Sequence, residues 1–163
     1  EGEVAAVSAK LPVAYLNIDS LLSNYQFAQE ANEKLMTKQE DARLKLNTKL
    51  RTLQNEMADF QRKLDNGAFL SQERAQKEYQ KLQKKQQDLE QLEAKLTQDI
   101  LEENQALNLQ LSDSLMNYLK IYNADGRFEI ILNNNAKDNI LMAADGYDIT
   151  QDVVNGLNAR YAK

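Results

Sequence analysis

The chain has 163 residues, 28% of them charged, with 20 Lys and Arg against 25 Asp and Glu and a net charge of −5. It contains no histidine and no cysteine, which removes the usual zinc, copper and haem ligands, thiol nucleophiles, disulfides and the side chain that titrates near neutral pH. Only carboxylates remain for acid–base or metal chemistry, and no run approaches the ~18–20 apolar residues that a membrane-spanning helix needs.

Residues 1–11 carry small side chains without periodicity and read as a flexible leader. Glu1-Gly2-Glu3 lacks the basic and apolar regions of a signal peptide, so the N-terminus reads as that of a mature form. The short apolar run Val13-Ala14-Tyr15-Leu16-Asn17-Ile18 lies between Pro12 and Asp19-Ser20. That pattern predicts a strand over 13–18 feeding a helix, with Asp19-Ser20 at its N-cap.

Between Gly2 and Gly126 there is one glycine, Gly67, and no proline follows Pro12. A helix-permissive stretch punctuated once near its middle predicts a long helical hairpin over 31–119 with its tip near 65–71. Gly67 suits the left-handed C′ position, and Ser71 suits the cap of the returning helix. Arms of some 45 residues extend roughly 65–70 Å at 1.5 Å per residue. On the outgoing arm Leu46, Leu50, Leu53, Met57, Phe60 and Leu64 follow four- and three-residue steps, the stripe of a coiled-coil seam. Upstream, Ala28, Leu35, Gln39 and Ala42 continue it more loosely, with a stutter near Leu46. The returning arm holds the pattern through Ala75, Tyr79, Leu82, Gln86 and Leu89, shifts it at Leu92 and Leu96, and resumes it from Ile100 to Tyr122. Ten of the forty residues from Ser71 to Gln110 are glutamine, so this arm is helical by propensity yet offers little to bury, and a bending stalk is expected.

Beyond Tyr122 the period changes. Asn123-Ala124-Asp125-Gly126 ends the helix, strands are predicted over 128–132 and 140–142, and Thr150 is expected to cap a last helix over 151–161. The fold class is mainly α with a small β part. Its body, 12–30 with 120–163, is too small to bury a large core, and three short strands leave an open edge, so completion by self-association is expected.

Two acidic turns, Asp125-Gly126 and Asp145-Gly146, fail as calcium loops, because Ile121 and Leu141 stand where the first acidic ligand belongs. Asp99, Glu102 and Glu103 form a carboxylate cluster, but adjacent helical residues do not face each other, and a solvated face explains them. No residue is assigned a catalytic role, no cofactor or metal is expected, and the chain is read as a protein other than an enzyme.

Charge is unevenly distributed. From Lys34 to Lys95 there are fourteen bases against ten acids, +4, leaving −9 for the rest. With the turn centred near Gly67, residue i is expected to face roughly 135 − i. That places Arg43, Lys45, Lys49 and Arg51 in one basic belt with Lys81, Lys84 and Lys85, an attractor for an acidic or polar-headed partner. Nucleic acid is not expected, since no aromatic residues interleave with the belt and the acidic body repels phosphate. At the tip Met57, Phe60, Leu64, Phe69 and Leu70 gather apolar bulk where a coiled coil has few partners to cover it. Phe60, Leu64 and Phe69 are expected to close on each other, leaving Leu70 and parts of Phe69 and Met57 to grip a client.

Val13-Ala14-Tyr15-Leu16-Asn17-Ile18-Asp19-Ser20-Leu21 resembles the opening strand and helix start of the Skp/OmpH-like periplasmic chaperones. Phe128-Glu129-Ile130-Ile131-Leu132 and Asp148-Ile149-Thr150-Gln151-Asp152-Val153-Val154 are similar to their closing strand and last helix start. The resemblance implies a homotrimer whose strands form a small β-barrel body and whose three helical hairpins enclose a cavity. It also implies a function: holding unfolded outer-membrane β-barrel proteins without ATP in the periplasm of a Gram-negative bacterium. Well-studied members of that family are strongly basic, and the acidic balance here argues against carrying over contact with anionic lipid or lipopolysaccharide. The rival expectation from the same residues is a structural coiled-coil spacer or oligomerising stalk that binds no client.

Overall fold

The computed structural model describes residues 10–135 and 139–163 and divides into two compact units, 33–107 and the remainder. Of the expected leader, residues 1–9 lie outside the described part, and Lys10 and Leu11 are irregular and exposed.

The first unit opens with β1 (Val13–Leu16), whose alternation buries Ala14 and Leu16. The strand stops two residues earlier than its apolar run suggests, because Asn17 turns out of it. The Asn17 side chain accepts from the Ser20 N–H at 2.9 Å and caps α1 (Ile18–Asn24), so the cap is Asn17 and not Asp19-Ser20. Asp19 instead occupies the first turn, where the helix dipole favours an acid.

A break follows that helix propensity does not announce. Tyr25 is extended (φ −83, ψ 113) between α1 and α2 (Gln26–Asp65). The break frees a carbonyl and an N–H, and one side chain satisfies both: Asn158 donates to the Asn24 carbonyl at 3.0 Å and accepts from the Gln26 N–H at 2.8 Å. Tyr25 itself is buried, its hydroxyl 3.0 Å from Ser114 Oγ and its ring edge-on to Phe27 and Tyr161.

The long helix α3 (Gln72–Tyr122) ends before Gly126, which has φ 68. Then β2 (Ile130–Asn133) pairs parallel to β1, Val13 against Ile130 through Leu16 against Asn133. Residues 140–142, expected as a strand, form none, and Leu141 and Met142 are 96% and 89% exposed. With no apolar face to meet, that run has nothing to hold it extended. Residues 147–149 take the other edge of β1 instead. The Tyr15 N–H donates to the Tyr147 carbonyl and the Ile149 N–H to the Tyr15 carbonyl, both at 2.9 Å, around a bridge between Tyr15 and Asp148.

Helix α4 (Thr150–Tyr161) closes the unit. Thr150, expected as its cap, is the first helical residue; Ile149 is the N-cap, and Asp148 before it accepts from the Thr150 N–H at 2.9 Å and from its hydroxyl at 2.6 Å. The freed Thr150 oxygen accepts from the Asn17 N–H at 2.9 Å, which ties the end of β1 to the start of α4. Leu21, Val153, Val154 and Leu157 fill the centre with Ala14, Leu16 and Ile149. Each Leu, Val or Ile of this set contributes roughly 1.5–3 kcal/mol on full burial.

The second unit is a helical hairpin made from α2 and α3, as the lone glycine predicts. Gly67 has φ 60, with its N–H on the Leu64 carbonyl (3.1 Å) and the Ala68 N–H on the Lys63 carbonyl (2.9 Å), the paired bonds of a Schellman stop. Ser71 Oγ accepts from the Arg74 N–H at 3.3 Å and starts α3 as expected.

Candidate functional site

The candidate residues all lie on the hairpin, so its seam decides what each can do. On α2 the inward row is Leu35, Ala42, Leu46, Leu53 and Phe60, two seven-residue series joined by a four-residue step at Ala42–Leu46. The stutter therefore falls where the sequence places it. On α3, Leu82 and Leu107 are buried and Leu89, Leu92, Leu96 and Ile100 half-buried.

Three ion pairs cross the seam: Lys38 to Glu103 (2.6 Å), Lys85 to Glu56 (2.6 Å) and Lys63 to Glu78 (3.0 Å). Residues 38, 56 and 63 are separated by 18 and 7, whole numbers of turns to within about 20°, so all three pairs stand on one flank of the hairpin. Two are exposed and Lys63–Glu78 is part-buried; each is worth about 1 kcal/mol or less, and together they mark the rotation of the two helices.

That rotation corrects the seam read from the sequence. With Glu56 and Lys63 drawn to one flank, the row one residue further round is turned outward. Leu50, Met57 and Leu64 are 44%, 45% and 44% exposed in place of the burial expected for a second seam row. Gln86, expected in the seam, is likewise exposed. The hairpin thus has an ion-paired flank and an apolar flank. On the apolar side the tip aromatics do close as anticipated: Phe60 and Phe69 rings are 5.4 Å apart, and Tyr79, 5.9 Å from Phe60, joins them. Leu64 is 44% exposed and Leu70 83%.

The ion pairs also fix the register. In each the residue numbers sum to 141, not about 135; the loop between Asp65 and Gln72 centres beyond Gly67, which moves the sum to 137, and the ion pairs stand a further four residues on. The single basic belt is consequently divided. Lys81, Lys84 and Lys85 stand opposite residues 56–60, whereas Arg43, Lys45, Lys49 and Arg51 stand opposite 90–98. The nearest members, Arg51 and the level of residue 56, are about 8 Å apart along the axis. Two of these bases are engaged: Arg43 in a double hydrogen bond with Glu40, which holds that carboxyl below its usual range, and Lys85 with Glu56. Lys45, Lys49, Arg51, Lys81 and Lys84 make no ion pair among the described residues. The +4 counted over 34–95 is cancelled across the full unit, since Glu33, Asp99, Glu102 and Glu103 bring residues 33–107 to fourteen bases and fourteen acids.

Where the stutter meets the small residues Thr48 and Thr52, the ion-paired flank holds an open groove of about 330 Å³ floored by Leu53, Leu89 and Leu92, with Lys49 and Asp88 at its rim. Among the described residues no group of three or more acids is placed to hold a metal ion, and no helix is long and apolar enough to cross a membrane. What the hairpin offers chemically is a long surface of weak, adaptable contacts. Leu50 is the residue the sequence pattern hid. Its seven-residue step to Met57 and Leu64 was the available signal, but pattern alone does not say which row a two-helix seam leaves open.

Residues 12–157 match the outer membrane protein (OmpH-like) family. In structure the chain is similar to a crystal structure from Caulobacter crescentus classed as an OmpH-like outer membrane chaperone. The TM-score is 0.80 at 17% identity, with 93% of this chain and 86% of that one covered, a likeness that shows the fold. No curated protein matches the sequence.

Proposed function

The chain belongs to the outer membrane protein (OmpH-like) family, and from that premise we propose that it is an ATP-independent holdase for unfolded outer-membrane β-barrel proteins in the periplasm of a Gram-negative bacterium. Three copies close their strands into a β-barrel body, and their hairpins enclose the client and prevent its aggregation. The small sheet supports this reading, since β2 has one strand neighbour among the described residues and exposes Ile130 (52%) and Leu132 (40%).

The observation that carries the proposal is the apolar flank. Leu50, Met57 and Leu64 present half-open apolar side chains on one flank, Leu70 at the tip is more exposed still, and the other flank carries the ion pairs. An unfolded β-barrel segment alternates apolar and polar residues and has open edges, so a long row of modest contacts holds it without imposing a conformation. Phe60 and Phe69 support the row from beneath, and Lys45, Lys49, Arg51, Lys81 and Lys84, with Arg43 and Lys85 beside them, steer acidic stretches of the client during capture. No step breaks or makes a covalent bond.

Dilution of a urea-denatured outer-membrane β-barrel into buffer without nucleotide tests the proposal. Light scattering from aggregates should fall in proportion to added protein; aggregation that proceeds unchanged would leave the spacer reading.

A further inference from the structure

The ion-paired flank is grooved along its length. Beside the groove floored by Leu53, Leu89 and Leu92, a second of about 320 Å³ lies toward residue 38, floored by Ala42, Leu96 and Ile100, and a third of about 550 Å³ lies toward the tip, reaching Leu82. Each is lined by at least one cross-seam ion pair, so all three open on the same flank, and the middle and tip grooves share Glu56 and Lys85. From Lys38 to Lys63 the row runs about 38 Å at 1.5 Å per residue. An extended chain spans that in about eleven residues, the upper end of the ~9–11 in one strand of a membrane β-barrel. The linings also change in charge: two bases and three acids at the residue-38 end, two and two in the middle, five and three at the tip end. Lys49 on α2, Asp88 on α3 and, at the tip end, Arg74 and Lys81 make no ion pair among the described residues.

We propose that this row of grooves seats one extended, strand-length segment of an unfolded client, apolar face down and acidic end toward the tip. It rests on the holdase reading, and gives the flank opposite Leu50 a share in holding the client. Side chains of an extended segment alternate, so one apolar row meets the aliphatic floor while the polar row faces water. Its backbone N–H and C=O groups have no strand partner before the client folds. The rims offer them both kinds of partner, an acceptor in Asp88 and donors in Lys49 and Lys81. Direction follows from charge: the surplus of bases at the tip end attracts acidic side chains, and the surplus of acids at the other end attracts basic ones. The groove thus selects a segment by length and polarity and not by sequence.

Fluorescence anisotropy of the full chain with a labelled eleven-residue peptide, Leu and Ser alternating between two Asp and two Lys, tests it. Affinity should rise through peptides of five, seven and nine residues and change less than twofold from eleven to fifteen. Thr48→Trp with Thr52→Trp, both at exposed positions, fills the middle groove and should weaken binding at least tenfold at unchanged helical ellipticity. Ala58→Trp, exposed and outside the groove lining, should leave it within twofold. A nitroxide on the acidic end of the peptide should broaden amide signals of residues 74–85 and spare 96–103; this and the length series need no variant, so they decide even where the Trp pair unfolds the hairpin. Affinity that keeps climbing with length, a folded Trp pair without effect, or broadening at 96–103 would overturn the groove. Peptide left unbound by protein that still suppresses client aggregation overturns the groove alone, and unbound peptide with unchecked aggregation overturns the holdase reading with it.

Discussion

Gly156 sits inside α4, where an alanine is worth about 1 kcal/mol more than glycine by helix propensity. The structure shows what that loss permits. A Cβ built at Gly156 overlaps the Tyr118 hydroxyl and the ring carbon that bears it, so α4 and α3 approach through the missing methyl. Forced overlap of this kind costs about 1–3 kcal/mol, and against the propensity gain Gly156→Ala should destabilise by up to about 2 kcal/mol. In a Tyr118→Ala background the obstruction is gone and the same substitution should stabilise by about 1 kcal/mol, a coupling of about 1–3 kcal/mol. Tyr118→Ala also removes ring contacts to Tyr122 and Arg160, but that loss cancels in the cycle. Urea unfolding of the four proteins, followed by helical ellipticity at one fixed chain concentration, measures it. Equal effects of Gly156→Ala in both backgrounds, within about 0.5 kcal/mol, would refute the close approach.

Asn158→Ala should cost about 1–2 kcal/mol, because it strands the Asn24 carbonyl and the Gln26 N–H at the break, and urea titration would show the loss. Gly67→Ala places a Cβ at φ 60 and should destabilise the hairpin by about 1–2 kcal/mol, seen as faster amide exchange in residues 56–85 with residues 108–163 unchanged. Replacing Leu50, Met57 and Leu64 together by Ser should leave helicity near wild type, since all three are half-exposed. The variant should nonetheless need severalfold more protein to suppress client aggregation in a scattering titration; equal potency would remove the apolar flank from the account.

The hairpin was legible because its signals are local. Gly67 and Ser71 each satisfy a terminus within a few residues, and both do in the structure what their chemistry suggests. The strand β1 was legible for the same reason, although Asn17 ended it early. What pattern did not disclose depends on residues far apart in the chain. The break at Tyr25 exists because Asn158, 132 residues beyond Gln26, bonds both freed groups. The 147–149 segment, and not the more apolar 140–142, pairs with β1 because Asp148 and Thr150 tie the start of α4 to Asn17. For the candidate residues, pattern did not supply the arrangement: six residues of register and a modest helix rotation divided the basic belt and turned Leu50 outward.

Size-exclusion light scattering of the protein mixed with one denatured outer-membrane β-barrel tests the holdase reading most directly. A soluble complex with the mass of three chains plus one client is the expected result. A client that elutes alone, aggregates, or travels with a single chain would contradict it.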